Sequence, residues 1–169
     1  MLDDKDYLKA IKSVPIICVD VVPVRFIDDK PQIGIITRQT GPFAGSAAVV
    51  GGRVRKDETI TEAIARHLRH DLEIEFFEFF RSNEATPFYV QQYFEEVESG
   101  SSYGHDPAKH DIALNYLIEI QDDPKPKNEA SDFYWINESE VPKSGYRQEI
   151  IMKAAFKHLH NQATQPSRS

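Results

Sequence analysis

The stretch from Val49 to Ile74, VVGGRVRKDETITEAIARHLRHDLEI, constrains this chain more than any other. A short apolar run ends in Gly51-Gly52, a charged loop follows, and an amphipathic helix begins at once, so the segment reads as strand, loop and helix. Paired glycines allow a close backbone approach that a side chain would forbid, as where main chain faces a phosphate or a metal. Thr59-Ile60-Thr61-Glu62 fits a capping box and fixes the helix start. Ile60, Ile64, Leu68 and Leu72 fall on one helical stripe, with Ala63 beside it. Asp71 falls inside that stripe, where a charge requires a cation, a metal or strong hydrogen bonds. His67 and His70 lie on the same flank, whereas Glu62, Arg66, Arg69 and Glu73 are expected on the wet face. Between Arg38 and Arg69 six cations meet three acids, a locally basic segment in a chain of net charge -7.

That overall charge disfavours nucleic acid and anionic membranes as partners, so an anionic small molecule has to be met locally. A length of 169 residues with 40% apolar content predicts one domain, residues 1–160, followed by a frayed tail over 161–169. Cys18 is the only cysteine. It excludes an intrachain disulfide and suits a reducing, cytoplasmic setting as a buried small hydrophobe. Neither a signal peptide nor a membrane span is read from the sequence.

In chain order, Asp3 to Lys12 predicts a leading helix and Val14 to Phe26 a strand in which Pro23 marks an edge, a bulge or a break. Gln32 to Thr37 is its hairpin partner. Glu73 to Phe80 is ambiguous between strand and helix, and Phe88 to Phe94 is a strand. Glu95 to Lys109 reads as a long mobile loop, of the kind that forms lids or ligand contacts or, more commonly, is simply flexible. Strands are expected over His110 to Ile120 and Asp132 to Ile136, and a closing helix over Tyr146 to His160 packs through Ile150, Ile151, Ala154 and Leu159. Phe133 and Trp135 are read as core.

The central stretch resembles the Nudix box: Gly, five residues, Glu, seven residues, then Arg-Glu-hydrophobic-any-Glu-Glu-any-Gly-hydrophobic. Gly52, Glu58, Arg66, Leu68 and Ile74 fall in register; His67 and His70 replace glutamates, Asp71 shortens the last one and Glu73 replaces the glycine. The resemblance extends to the GDP-mannose mannosyl hydrolase branch, which also keeps a single metal carboxylate and whose corresponding stretch is similar to GGRVRKDET. It implies an α/β/α sandwich around a mixed β-sheet and a homodimer. It also implies Asp20, Arg38, Arg53 and Tyr116 as contacts to sugar and diphosphate, and Asp71 as the metal carboxylate. Where that branch has Gln-His before its last strand, a metal ligand and a general base, this chain has Glu129-Ala130. Alanine cannot take a proton. Either Glu129 serves as ligand or base, or His105 or His110 substitutes from the long loop, or the chain does not turn over that substrate.

Cleaving a nucleoside diphosphate linkage requires stabilising charge that builds on the diphosphate, which arginines and a divalent ion accomplish. Arg38 and Arg53 are the expected leaving-group contacts, because the guanidinium fork binds phosphate oxygens bidentately. Mg2+ or Mn2+ would draw on Asp71, the Gly51 carbonyl and Glu129. His67 and His70 would favour a softer ion, or are plain helix-face residues. Glu58 is read as structural; Asp20 contacts a ligand hydroxyl or an arginine, or marks the solvent side of an edge strand; Tyr116 donates to a ligand or is a half-buried strand tyrosine. Two function classes follow: a divalent-metal-dependent hydrolase of a nucleoside diphosphate derivative such as a nucleotide sugar, or a Nudix-fold module that binds such a ligand without efficient catalysis.

Overall fold

The computed structural model describes residues 3–163. Helix α1 (Asp4–Ser13) is capped by Asp3, whose carboxylate accepts from the Asp6 amide. Strands β1 (Ile16–Ile27) and β2 (Lys30–Arg38) form a hairpin through Asp28 and Asp29, both at positive φ, as a tight twisted turn requires. Then come β3 (Ala47–Ala48), β4 (Val50–Arg53), α2 (Ile60–Leu72), β5 (Phe77–Phe79), β6 (Tyr89–Phe94), β7 (Gly104–His105), β8 (Asp111–Ile120), β9 (Ala130–Ile136) and α3 (Glu149–Ala163). The strands make one mixed sheet in the order β3-β2-β1-β8-β6-β7, with β4 on β1, β5 on β8 and β9 on β2.

Strand β1 is the spine. It runs parallel to β8 from Ile16 to Pro23. On its other edge it pairs first with β4 (Cys18 to Val21) and then with β2 (Val24 to Ile27). Pro23, which lacks an amide donor, sits where the partner changes.

Alternation along β1 and β8 divides the core. Cys18, Val22, Val24, Ala113 and Leu117 pack in the cluster that contains Ile151, Met152, Ala155, Phe156 and Leu159 of α3. Val19, Val21, Tyr116 and Ile118 pack in the cluster that contains Ala63, Ile64, Leu68 and Leu72 of α2. The sheet is therefore sandwiched between α2 and α3, the α/β/α arrangement that the resemblance implies.

Several expectations are refined. The aromatic stretch after α2 resolves into the short β5. The closing helix starts later, at Glu149, and Ile150 and Ala154 are only partly buried, because Met152, Ala155 and Phe156 share the inner face with Ile151 and Leu159. Residues 161–163 continue α3, so the expected tail is helical there; residues 164–169 lie outside the described residues. Trp135 is half-buried, with the Arg25 guanidinium 4.5 Å from its ring centre. No helix among the described residues is long and apolar enough to cross a membrane.

Candidate functional site

The box segment folds as its sequence dictates. Thr59 caps α2, accepting from the Glu62 amide while Glu62 reaches back to the Thr59 amide. Glu58 takes a two-point contact from Arg66, Nε to Oε1 at 2.6 Å and Nη2 to Oε2 at 2.8 Å, and accepts from the Arg55 amide. These hydrogen bonds hold its carboxyl down at about 2. Arg66 Nη2 also donates to the Arg53 carbonyl at 2.9 Å. Arg66 is thus no wet-face residue: it ties the loop to the helix. Gly52 is required by contact, since a Cβ there would lie 2.6 Å from the His67 ring. A Cβ on Gly51 would lie 2.2 Å from Asp20 Oδ1.

A cleft of about 670 Å³ opens beside this segment. Asp20, Arg38, Gly51, Arg53, His67, His70, Asp71 and Glu129 all line it, so the fold brings together nearly every residue singled out in the sequence. Tyr116 is the correction. It is 1% exposed and packs near Phe79 in the α2-side cluster, away from the cleft. Alternation explains this, because Asp111 and Ala113 of β8 line the cleft and Tyr116 has the opposite parity. His105 and His110 are also absent from the lining. His105 bonds the Glu95 carbonyl, and His110 stacks on Phe94.

Arg38 stands where the β2–β9 register shifts. Its Nη2 donates to Glu129 Oε2 at 2.8 Å, its guanidinium lies 5.0 Å from the Tyr146 ring centre, and its buried Nε has no acceptor. Glu129 is delivered by a connection stitched onto the end of α2: the Lys125 amide bonds the Leu72 carbonyl, and the Lys127 amide the Asp71 carbonyl. Those carbonyls would otherwise be orphans of the helix terminus. Arg53 stacks over Tyr7 of α1 at 4.2 Å.

Asp71, 2% exposed, finds the hydrogen bonds its position demands: His70 Nδ1 at 2.8 Å and the Glu129 amide at 3.3 Å, both to Oδ1. His67 lies within 3.2 Å of the Arg53 carbonyl, and burial favours its neutral form. Among the described residues no three His, Cys, Asp or Glu side chains converge as a metal site. Of the expected donors, His70 and the Glu129 amide bond to Asp71 Oδ1, the Glu129 carboxylate bonds to Arg38, and His67 lies against the Arg53 carbonyl.

The buried end of the cleft went unread in the sequence. Asp106, Lys109 and Asp111 lie there with Asp20, Tyr93 and Gln148. Lys109 Nζ pairs with Asp111 Oδ2 and lies 3.6 Å from Asp106 Oδ2. The end of the supposed mobile loop is therefore built into the cleft wall. Asp20 is 7% exposed, and burial, then Asp111, pushes its carboxyl up to about 7. One signal was available: along β8 the small or polar Asp111, Ala113 and Asn115 alternate with apolar residues.

Solved structures with this fold include a possible asymmetric diadenosine tetraphosphate (Ap4A) hydrolase from Jonesia denitrificans, at TM-score 0.72 and 25% identity, covering 88% of this chain and 96% of that one. The Nudix domain of Shewanella oneidensis NrtR, complexed with ADP-ribose, matches at TM-score 0.59 and 20% identity over 94% of this chain and 99% of that one. An Ap4A hydrolase from C. elegans matches at 0.62 and 14% identity over 88% and 98%. The architecture is the Nudix α/β/α fold. No functionally curated protein matches the chain in sequence. Residues 1–165 match the family described as Domain of unknown function (DUF4916), and the chain belongs to that family.

Proposed function

We propose that the chain hydrolyses a nucleoside diphosphate linked to another group, with a nucleotide sugar as the substrate class. The observation that carries this reading is Arg38, whose buried Nε–H has no acceptor while its Nη2 is anchored by Glu129 at 2.8 Å. A guanidinium held on one side and unsatisfied on the other is poised for an anion. With Arg53 it would bind the diphosphate oxygens and stabilise the charge that develops on them as the bond breaks. Asp20, titrating near neutrality, is the cleft carboxyl suited to exchanging a proton with substrate or water. A divalent ion on this reading arrives with the diphosphate, held by its phosphate oxygens and one or two carboxylates of the cleft.

Nudix-fold proteins named for Ap4A hydrolysis or bound to ADP-ribose support the nucleoside diphosphate class. The GDP-mannose-like pattern of Gly51 to Thr59 supports a sugar as the second group. Turnover in oxygen-18 water tests the reaction and its site of attack. Label in the sugar means attack at the anomeric carbon, label in a phosphate product means attack at phosphorus, and absence of any product contradicts hydrolysis.

A second reading, a binding or sensing module, is favoured by the occupied state of Asp71, hydrogen-bonded to His70 and to the Glu129 amide. On that reading nucleotide sugars raise the melting temperature without turnover.

A further inference from the structure

The cleft carries opposite chemistries at its two ends. Arg53, Arg55 and Arg66 lie on its more exposed side, whereas Asp20, Tyr93, Asp106 and Asp111 are at least nine-tenths buried. At the buried end a single cation, Lys109, serves two carboxylates, Asp106 and Asp111, before Asp20 is counted. One cation shared between two carboxylates leaves a phosphate no net attraction there. Asp111 is 6% exposed, and although Lys109 satisfies its Oδ2, its Oδ1 has no hydrogen-bond partner. The Tyr93 hydroxyl on the same wall has Gln148 as a polar neighbour but makes no hydrogen bond of normal geometry. An unmade bond at a buried acceptor is costly, and an apolar ligand would leave it uncompensated.

We propose that Asp20, Tyr93, Asp106, Lys109 and Asp111 form a subsite for an uncharged polyhydroxylated group, the glycosyl portion of a nucleotide sugar. Hydroxyl groups donate to Asp111 Oδ1 and accept from Lys109, the complement this wall lacks. The proposal rests on the reading of Arg38 and Arg53 as the diphosphate site and adds what lies beyond the second phosphate. It excludes a third phosphate from the same position, so nucleoside triphosphates are disfavoured by charge.

The test is equilibrium titration of the full chain with matched sets: GDP, GTP and GDP-mannose; UDP, UTP and UDP-glucose; ADP, ATP and ADP-ribose. Conditions are chosen so that no product accumulates. In at least one set the sugar conjugate is expected to bind about tenfold or more tighter than the diphosphate, and the triphosphate no tighter. In Asp111→Asn the diphosphate affinity is expected to stay within about twofold while the sugar's advantage disappears. Diphosphates that bind while no sugar adds affinity overturn the subsite and leave the diphosphate reading standing, as does a triphosphate that binds tightest. Equal loss of both ligands in Asp111→Asn assigns Asp111 a structural role and overturns its place in the subsite. Absence of binding by every diphosphate overturns both readings. Should Asp111→Asn fail to fold, the comparison within each set on the unaltered chain decides the matter.

Discussion

Arg38 Nη2 meets Glu129 Oε2 at 2.8 Å, joining residues 91 positions apart in the wall of the cleft. The pair leaves Arg38 Nε unsatisfied and aims the guanidinium alongside Tyr146. Replacing Arg38 or Arg53 by Ala is therefore expected to lower turnover about a hundredfold each. Arg38→Lys should not restore it, because an ammonium has no fork. Steady-state kinetics on a nucleotide sugar check this, and wild-type rates in both alanine variants would make the arginines mere surface residues.

Glu129 is expected to orient Arg38. Glu129→Gln keeps an acceptor oxygen, so it should reduce kcat/KM by less than about tenfold, mostly through KM. A fall of about a hundredfold or more in kcat would instead give Glu129 the role of base.

Asp20 should make stability depend on pH. Its folded pKa, about 7, lies above the ordinary value of 3.8, because burial and Asp111 outweigh Lys109 and Arg38. The folded state then holds the extra proton between those values. The stability that Asp20 contributes is greatest below about pH 4, falls as pH rises towards 7, and levels off above it. Asp20→Asn should remove this slope and gain up to about 4 kcal/mol relative to the wild type near pH 8. Urea midpoints of the two proteins near pH 5 and pH 8 measure it; parallel curves would contradict it.

Glu58 behaves oppositely. Its carboxyl sits at about 2, below the ordinary 4.5, chiefly because Arg66 hydrogen-bonds to it. The stability it contributes is present above about 4.5 and lost as pH falls towards 2. Glu58→Gln is expected to cost about 1 kcal/mol near neutrality, after allowance for water reaching the loop. It should also loosen the Arg53 carbonyl that Arg66 holds. Denaturant unfolding reads the loss.

Glu73 ends α2 in the left-handed region at φ 55°, where the box pattern has glycine. Lys127 at 3.2 Å and Lys125 at 3.7 Å offset some of the strain. Glu73→Gly should stabilise the chain by about 0.5–1 kcal/mol, read as a raised melting temperature with nucleotide binding unchanged.

Local signals carried far in this chain. The capping box at Thr59, the stripe through Ile64 and Leu68, and the glycine that clears His67 are all set within the box segment itself. Asp71 was legible as a buried charge in need of partners, but one of those it takes, the Glu129 amide, lies 58 positions away. Lys109, Asp106 and Asp111 were not legible: each is an ordinary polar residue near a loop end, and only the parallel pairing of β1 with β8 brings Asp111 to the same face as Cys18 and Asp20. Tyr116 failed for the converse reason, since similarity of position said nothing about parity within β8.

The most direct measurement is product analysis of the purified chain incubated with GDP-mannose, UDP-glucose and ADP-ribose in the presence of Mg2+ or Mn2+, followed by phosphorus NMR. Release of a nucleotide from at least one of them, lost in Arg38→Ala and Arg53→Ala, is the predicted result. Intact substrate in every sample, at protein concentrations where binding is saturated, would contradict hydrolysis and leave the cleft as a binding site.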